Sequence, residues 1–555
     1  MVVRSLGRGV GGAWLLAGAV AACSASEPAP GAAEADDAGA PPLYASDLGD
    51  GTYRNPVLPS DYSDPDVLRV GDEYWLVASS FTSTPALPLL RSRDLVNWTL
   101  AGHALANVPG ARFAEPQDGQ GVWAPSIREH AGTFYVFFPV YCRPADGGAC
   151  DEEGVWVVAA PSPAGPWGEP RQLLAGRGLI DPCPFWDDDG KAYLAHAYAA
   201  SRAGFGSRLD VRPMSPDATQ MLGEGQQVFS DPTTQPTIEG PKVHKRNGWY
   251  YLLAPAGGVQ AGWQVALRSR SIYGPYEARV VLEQGTTSIN GPHQGALVDT
   301  PSGDEWWFVH FQDQGVYGRV LRLEPAEWQD DWPLLGVAGA GGVREPVAAH
   351  RKPATAPQPV AVPASSDEFD GPTLGPQWQW QANHDDAWAS LGARPGALRL
   401  TPRSAPGGDL ARAPSLLLQK LPARAFTAET LVEPSGTAGS SVAGLVVTGR
   451  QPAAVAVGEA GGAVEVSLVV GGKTVETASL PAGAVRLRVS FADGGACRFS
   501  YGSATEALRA FATPFTAEKS AWTSAKVGVF AIAADRSDAP GWADFDSFRF
   551  APYAD

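Results

Sequence analysis

The chain repeats one hairpin five times, and this repeat restricts its fold more than any other feature. Each copy is a short strand, a polar turn closed by glycine, and a second strand rich in aromatic residues. The copies read SDPDVLRVGDEYWLVASSF, VWAPSIREHAGTFYVFFPVY, IDPCPFWDDDGKAYLAHAY, IEGPKVHKRNGWYYLLAPAGG and GPHQGALVDTPSGDEWWFVHF. Their turn glycines are Gly71, Gly132, Gly190, Gly248 and Gly303, spaced by 61, 58, 58 and 55 residues. A period of this size in strand-forming sequence marks a radially repeated β-architecture, and five copies make a five-bladed β-propeller.

The repeat also sets candidate chemistry in phase. Counting back from each glycine, Asp64 lies at −7, Trp123, Asp181 and Glu239 at −9, and His293 at −10. Each is next to or near a proline: Pro65, Pro125, Pro182, Pro241 and Pro292. The first strand of a propeller blade lines the central channel, so these five side chains are expected at one channel mouth. Taken singly they are unremarkable: an aspartate before proline is an ordinary turn residue, and a lone tryptophan or histidine belongs to a core. Glu239 before Gly-Pro is costlier, because an inward-facing carboxyl needs a use. The shared phase favours a site. Asp187, Asp188 and Asp189 fall in a hairpin turn and are expected to be solvated.

Three carboxyls around a channel suit glycosidic hydrolysis. One acid protonates the leaving oxygen while a second carboxylate activates water on the opposite face, about 6.5–9.5 Å away in the inverting route. A third carboxylate raises the pKa of the acid by like-charge repulsion.

The flanks supply context. Residues 1–23 join Arg4 and Arg8 to the apolar run AWLLAGAVAA and Cys23, the pattern of a signal peptide. The residues VAAC resemble a bacterial lipobox, which implies lipidation of Cys23. The expected location is exported: anchored through lipid at the outer membrane, periplasm or cell surface, or secreted. Residues 24–44 read as a disordered tether, 45–345 as the propeller and 346–366 as a proline-rich linker. Residues 367–555 change texture, with short alternating runs such as SVAGLVVTGR, AVEVSLVV and VRLRVSFADG. These indicate an antiparallel β-sandwich. A net charge of −17 argues against nucleic-acid partners and suits neutral ligands. Cys142 and Cys150 bracket a short loop and are candidates for a disulfide, whereas Cys183 and Cys497 read as buried apolar residues. No cysteine or histidine spacing suggests zinc.

These motifs resemble glycoside hydrolase family 43, five-bladed enzymes that trim xylan and arabinan side chains. The likeness covers the mature chain, including the concanavalin A-like sandwich (a jelly roll) of the β-xylosidase branch. The resemblance implies that Asp64 is the general base, Asp181 the residue tuning the acid's pKa, and Glu239 the general acid. It implies an aromatic subsite wall at Trp123, a pocket wall at Phe81, and an arginine holding sugar hydroxyls near the −1 position at Arg319. His293 in NGPHQG matches a histidine that in several members lies near or ligates a central cation, often calcium. No cofactor is required for the chemistry. The segment SFTSTPALP lacks the extra aromatics of some xylosidase pockets. The NDPNG, RDP and EC signatures of related fructoside-cleaving propellers are absent. The implied function is exo-acting, inverting β-xylosidase action on neutral plant cell-wall oligosaccharides from xylan or arabinoxylan. An α-L-arabinofuranosidase is the alternative, and a non-catalytic glycan-binding surface lipoprotein a second. Three roles stay open for the sandwich: bordering the cleft, binding glycan, or bracing the propeller.

Overall fold

The computed structural model describes residues 42–436, 441–534 and 541–554. The readings for the signal peptide, Cys23 and most of the tether lie outside them. Five antiparallel sheets follow the repeat. Blade one pairs Asp66–Val70, Glu73–Val77, Ala86–Ser92 and Thr99–Leu105 in sequence order. Blades two, three and four begin with inner strands Ser126–His130, Leu179–Trp186 and Lys242–Arg246 and run outward in the same way. All five turn glycines adopt left-handed φ, between 61° and 81°, as the tight turns require. The aromatic second strands bury Tyr74, Phe137, Tyr251 and Trp307. Each such side chain contributes roughly 1.5–3 kcal/mol through removal from water.

Blade five is assembled differently. It comprises His293–Asp299, Trp306–Asp313 and Arg319–Gln329, and its next strand is Leu58–Asp61 from the beginning of the fold. Leu58 lies opposite Leu321 and Asp61 opposite Val320. The ring therefore closes by strand pairing between distant segments, which sets residues 58–64 against the start of the Arg319 strand.

Two expectations need adjustment. Asp187 is not solvated: its side chain is 4% exposed, ion-paired with Lys245 and accepting a hydrogen bond from Tyr250 Oη at 2.6 Å. The turn of blade three is thereby tied to blade four, while Asp188 and Asp189 do face solvent. The proline-rich segment is partly ordered onto the propeller, because Ala349–Arg351 pairs with Thr52–Arg54.

The C-terminal domain is a sandwich of two eight-stranded sheets around a core that includes Val432, Leu445, Val455, Val489 and Phe545. Propeller residues Tyr317 and Val320 belong to that same core. Thr84 and Trp380 exchange backbone hydrogen bonds, and Asn383 bonds both backbone groups of Val108. Cys142 and Cys150 are joined in a disulfide, and Cys183 and Cys497 are free and buried.

Candidate active site

The inner strands do not begin as regular strands. Asp64 (φ 53°), Asp181 (φ 56°), Gly240 (φ 57°) and Gln294 (φ 31°) take left-handed conformations at matching places in four blades. The ladder slips between Ile180 and Cys183 and between His293 and Gly295. At the three non-glycine positions this conformation re-aims side chains toward the axis at about 1–3 kcal/mol each, aspartate tolerating it better than glutamine, while Gly240 adopts it without that cost.

Asp64 is buried, and its carboxylate accepts from Ser79 Oγ at 2.6 Å and from Arg319 Nη1 at 2.7 Å. Asp181 Oδ2 accepts from the Gly240 amide at 2.8 Å. Burial pushes the Asp181 carboxyl above its usual range; the Asp64 charge adds to this, and Gly240 N–H, Lys242 and Gln294 oppose it. Glu239 leaves 29% of its side chain accessible at the mouth, yet the surrounding protein still desolvates its carboxyl. Burial first, then the Asp181 charge, raise its pKa to about 8, with Arg319 pulling down and Asp64 adding slightly. Glu239 thus stays protonated at neutral pH, while the oxygens of Asp64 face donors. The three acids of blades one, three and four meet as the repeat phase predicts.

Arg319 spans this ring. Its guanidinium binds Asp64, lies 4.8 Å from the Phe311 ring centroid, and keeps a buried Nε without a partner. Trp123 stacks on Tyr141 with centroids 3.8 Å apart, and its Nε1 donates to Gly119 O at 3.0 Å. Phe81 is strapped to Val122 by two 2.9 Å backbone bonds and lines a small cavity of about 150 Å³ between propeller and sandwich.

Residues 53–333 match the model for glycosyl hydrolases family 43, and residues 366–551 match the beta xylosidase C-terminal concanavalin A-like domain. The chain belongs to glycosyl hydrolase family 43. It is 43% identical over 411 residues to a putative beta-xylosidase of Xylanibacter ruminicola, covering 73% of this chain and 72% of the relative. A non-reducing end alpha-L-arabinofuranosidase of Bacteroides ovatus is 34% identical over 370 residues, 63% of this chain and 65% of that one. The crystal structure of a GH43 protein from Bacillus licheniformis superposes with a TM-score of 0.77 at 28% identity, covering 90% of this chain and all of that one. The protein is an O-glycosyl hydrolase.

Two further residues of this family 43 enzyme are not among those the repeat phase singles out. Trp522, on a loop of the sandwich and 46% exposed, stands edge-on to Trp123 at 6.5 Å and within 5.5 Å of the Arg319 guanidinium. The sandwich therefore borders the cleft. An unpaired tryptophan in the polar run KSAWTSAK was the available sequence signal. Lys242, one residue beyond Pro241, is buried beneath Asp181 and donates to Pro125 O at 2.8 Å and Ser126 Oγ at 2.6 Å.

His293 is buried, and its Nε2 lies 3.4 Å from Glu239 Oε1 without hydrogen-bond alignment. Burial lowers its pKa to about 3, so the ring is neutral and the contact is not an ion pair. Both ring nitrogens are buried and lack partners. Among the described residues, however, no group of three ligating side chains forms around it. Calcium takes six to eight oxygens. His293 offers one nitrogen, so the protein side of this site is a poor match for that ion.

Proposed function

We propose that this family 43 enzyme is an inverting, exo-acting β-xylosidase acting on neutral oligosaccharides from xylan or arabinoxylan. The observation that carries the reading is the opposed state of two carboxyls on one ring. Glu239 is held protonated by burial and by Asp181. Asp64 is fixed as an acceptor by Arg319 and Ser79. A water deprotonated by Asp64 attacks the anomeric carbon as the glycosidic C–O bond breaks. The departing oxygen takes the Glu239 proton, so the products are a free sugar of inverted configuration and a shortened chain. Asp181 acts on Glu239 through its charge and through Gly240, and Lys242 beneath it limits how far Asp181 itself is pushed up.

Trp123, with Tyr141 behind it, and Trp522 supply flat apolar faces for sugar rings. Phe81 instead lines the separate cavity between propeller and sandwich, which contains neither tryptophan. The C-terminal match to the β-xylosidase module and the β-xylosidase relatives favour xylose over arabinose. The arabinofuranosidase relative supports α-L-arabinofuranoside cleavage as the second reading. Export with a lipid on Cys23 belongs to the same proposal and rests on the sequence alone. The test is hydrolysis of 4-nitrophenyl β-D-xylopyranoside against the α-L-arabinofuranoside, followed by proton NMR of the first product anomer from xylobiose. Preference for the arabinoside would move the assignment to the second reading, and a retained anomer would overturn the mechanism.

A further inference from the structure

Asp61 is a buried carboxylate that the chemistry above does not use; it is 2% exposed and sits on the strand that closes the ring. Its Oδ1 accepts from the Arg319 amide and from Ser63 Oγ, both at 3.0 Å. Its Oδ2 accepts from the Ser524 amide of the sandwich at 2.8 Å. One side chain thus joins the backbone of the arginine that holds Asp64 to the loop that carries Trp522. Gly318 makes room for this junction. A Cβ there would lie 2.6 Å from Asp61 Cγ and 2.8 Å from the Ser524 nitrogen. The loop is also tied by Lys519 to Asp313, by Ser520 Oγ and the Ala521 amide to Asp118, and by the Ala525 amide to Val316 O, of which the Asp118 ties lie nearer solvent. A hydrogen bond to a buried carboxylate holds its partner harder than exposed pairs do.

We propose that Asp61 is a positioning residue that sets the exposed Trp522 beside Trp123 at the mouth of the site, where the leaving sugar of an exo-acting enzyme lies. The inference rests on the hydrolase reading above and adds to it a residue that touches no substrate. The chemistry of the carboxylate makes it testable. In Asp61→Asn the amide oxygen can still serve the two donors at Oδ1, but the amide NH2 then faces the Ser524 N–H and cannot accept from it. The variant therefore cuts the sandwich contact while sparing the Arg319 contact.

The experiment compares wild type and Asp61→Asn on xylobiose, whose leaving group is a sugar, and on β-D-xylopyranosyl fluoride, whose leaving group is one atom. Hydrogen exchange of the backbone amides of residues 519–525 is followed in parallel. The expected result has three parts: a loss of about tenfold or more in kcat/KM on xylobiose carried mainly by KM, fluoride turnover within about twofold of wild type, and faster exchange in 519–525. An equal loss on both substrates, or no loss on xylobiose, overturns the proposal. Should wild type cleave neither substrate, the xylosidase reading fails by itself. Exchange then decides this inference: acceleration supports it and unchanged exchange overturns it. If Asp61→Asn does not fold, Gly318→Ala, which presses on the same junction from the opposite side, is read by the same criteria.

Discussion

The Gly240 amide donates to Asp181 Oδ2 across 2.8 Å, which ties the residue after Glu239 to the carboxylate of the neighbouring blade. This bond places the Asp181 charge where it acts on Glu239, while Arg319 acts on Glu239 with the opposite sign. Two variants should therefore move one ionisation in opposite directions. The basic limb of kcat/KM reports loss of the Glu239 proton near pH 8. Asp181→Asn removes a negative charge and should shift that limb to lower pH. Arg319→Gln removes a positive charge and should shift it to higher pH, with a lower plateau because Asp64 loses its partner. Profiles on xylobiose decide the matter; shifts in the same direction would contradict the assignment.

Glu239→Gln should reduce xylobiose turnover by about 10²–10⁴-fold, the usual contribution of a general acid. The loss should be much smaller for 4-nitrophenyl β-xyloside, whose leaving group needs little protonation. Turnover of both substrates unchanged from wild type would remove Glu239 from the chemistry.

The same carboxyl affects stability. Its folded pKa is raised from 4.5 to about 8, so between those values the unfolded state binds fewer protons than the folded state. Stability due to Glu239 is complete below pH 4.5 and falls as pH rises toward 8. The difference in thermal midpoint between Glu239→Gln and wild type should accordingly turn in favour of the variant across that window, as scanning calorimetry from pH 5 to 8 can show.

Lys526 runs the other way. It faces the propeller from the sandwich and donates to Ser83 Oγ; burial, then the charge of Lys420 opposite it, depress its pKa to about 7. Between about 7 and 10.5 the unfolded state holds more protons, so this group contributes stability that grows as pH rises through that interval. Lys526→Met should flatten the rise in thermal midpoint from pH 7 to 9.5. A parallel rise in both proteins would show that the amine is fully solvated and charged.

Removing Asp187 leaves the Tyr250 hydroxyl without its partner and Lys245 with only the exposed Asp188 between blades three and four. Asp187→Ala should cost about 1–3 kcal/mol, the price of an unmet buried polar group, with kcat on xylobiose little changed. Urea titration monitored by tryptophan fluorescence measures it, and a cost near zero would mean that the pair is solvated after all.

The five hairpins, the blade count and the placing of Asp64, Asp181 and Glu239 at the starts of inner strands were legible in the sequence. Strand alternation, turn glycines and their period are local properties that each repeat carries by itself. The same local reading misplaced Asp187, because turn composition says nothing about a lysine and a tyrosine on the next blade.

The contacts that finish the site required the tertiary structure. Arg319 reaches Asp64 across 255 residues because the strand Leu58–Asp61 pairs with blade five. Ser524 reaches Asp61 across 463 residues because the sandwich docks on the propeller. Neither pair shares a period, a motif or a turn. Ring closure and domain docking are decided by which distant surfaces bury best against each other, and only the assembled chain brings those surfaces together.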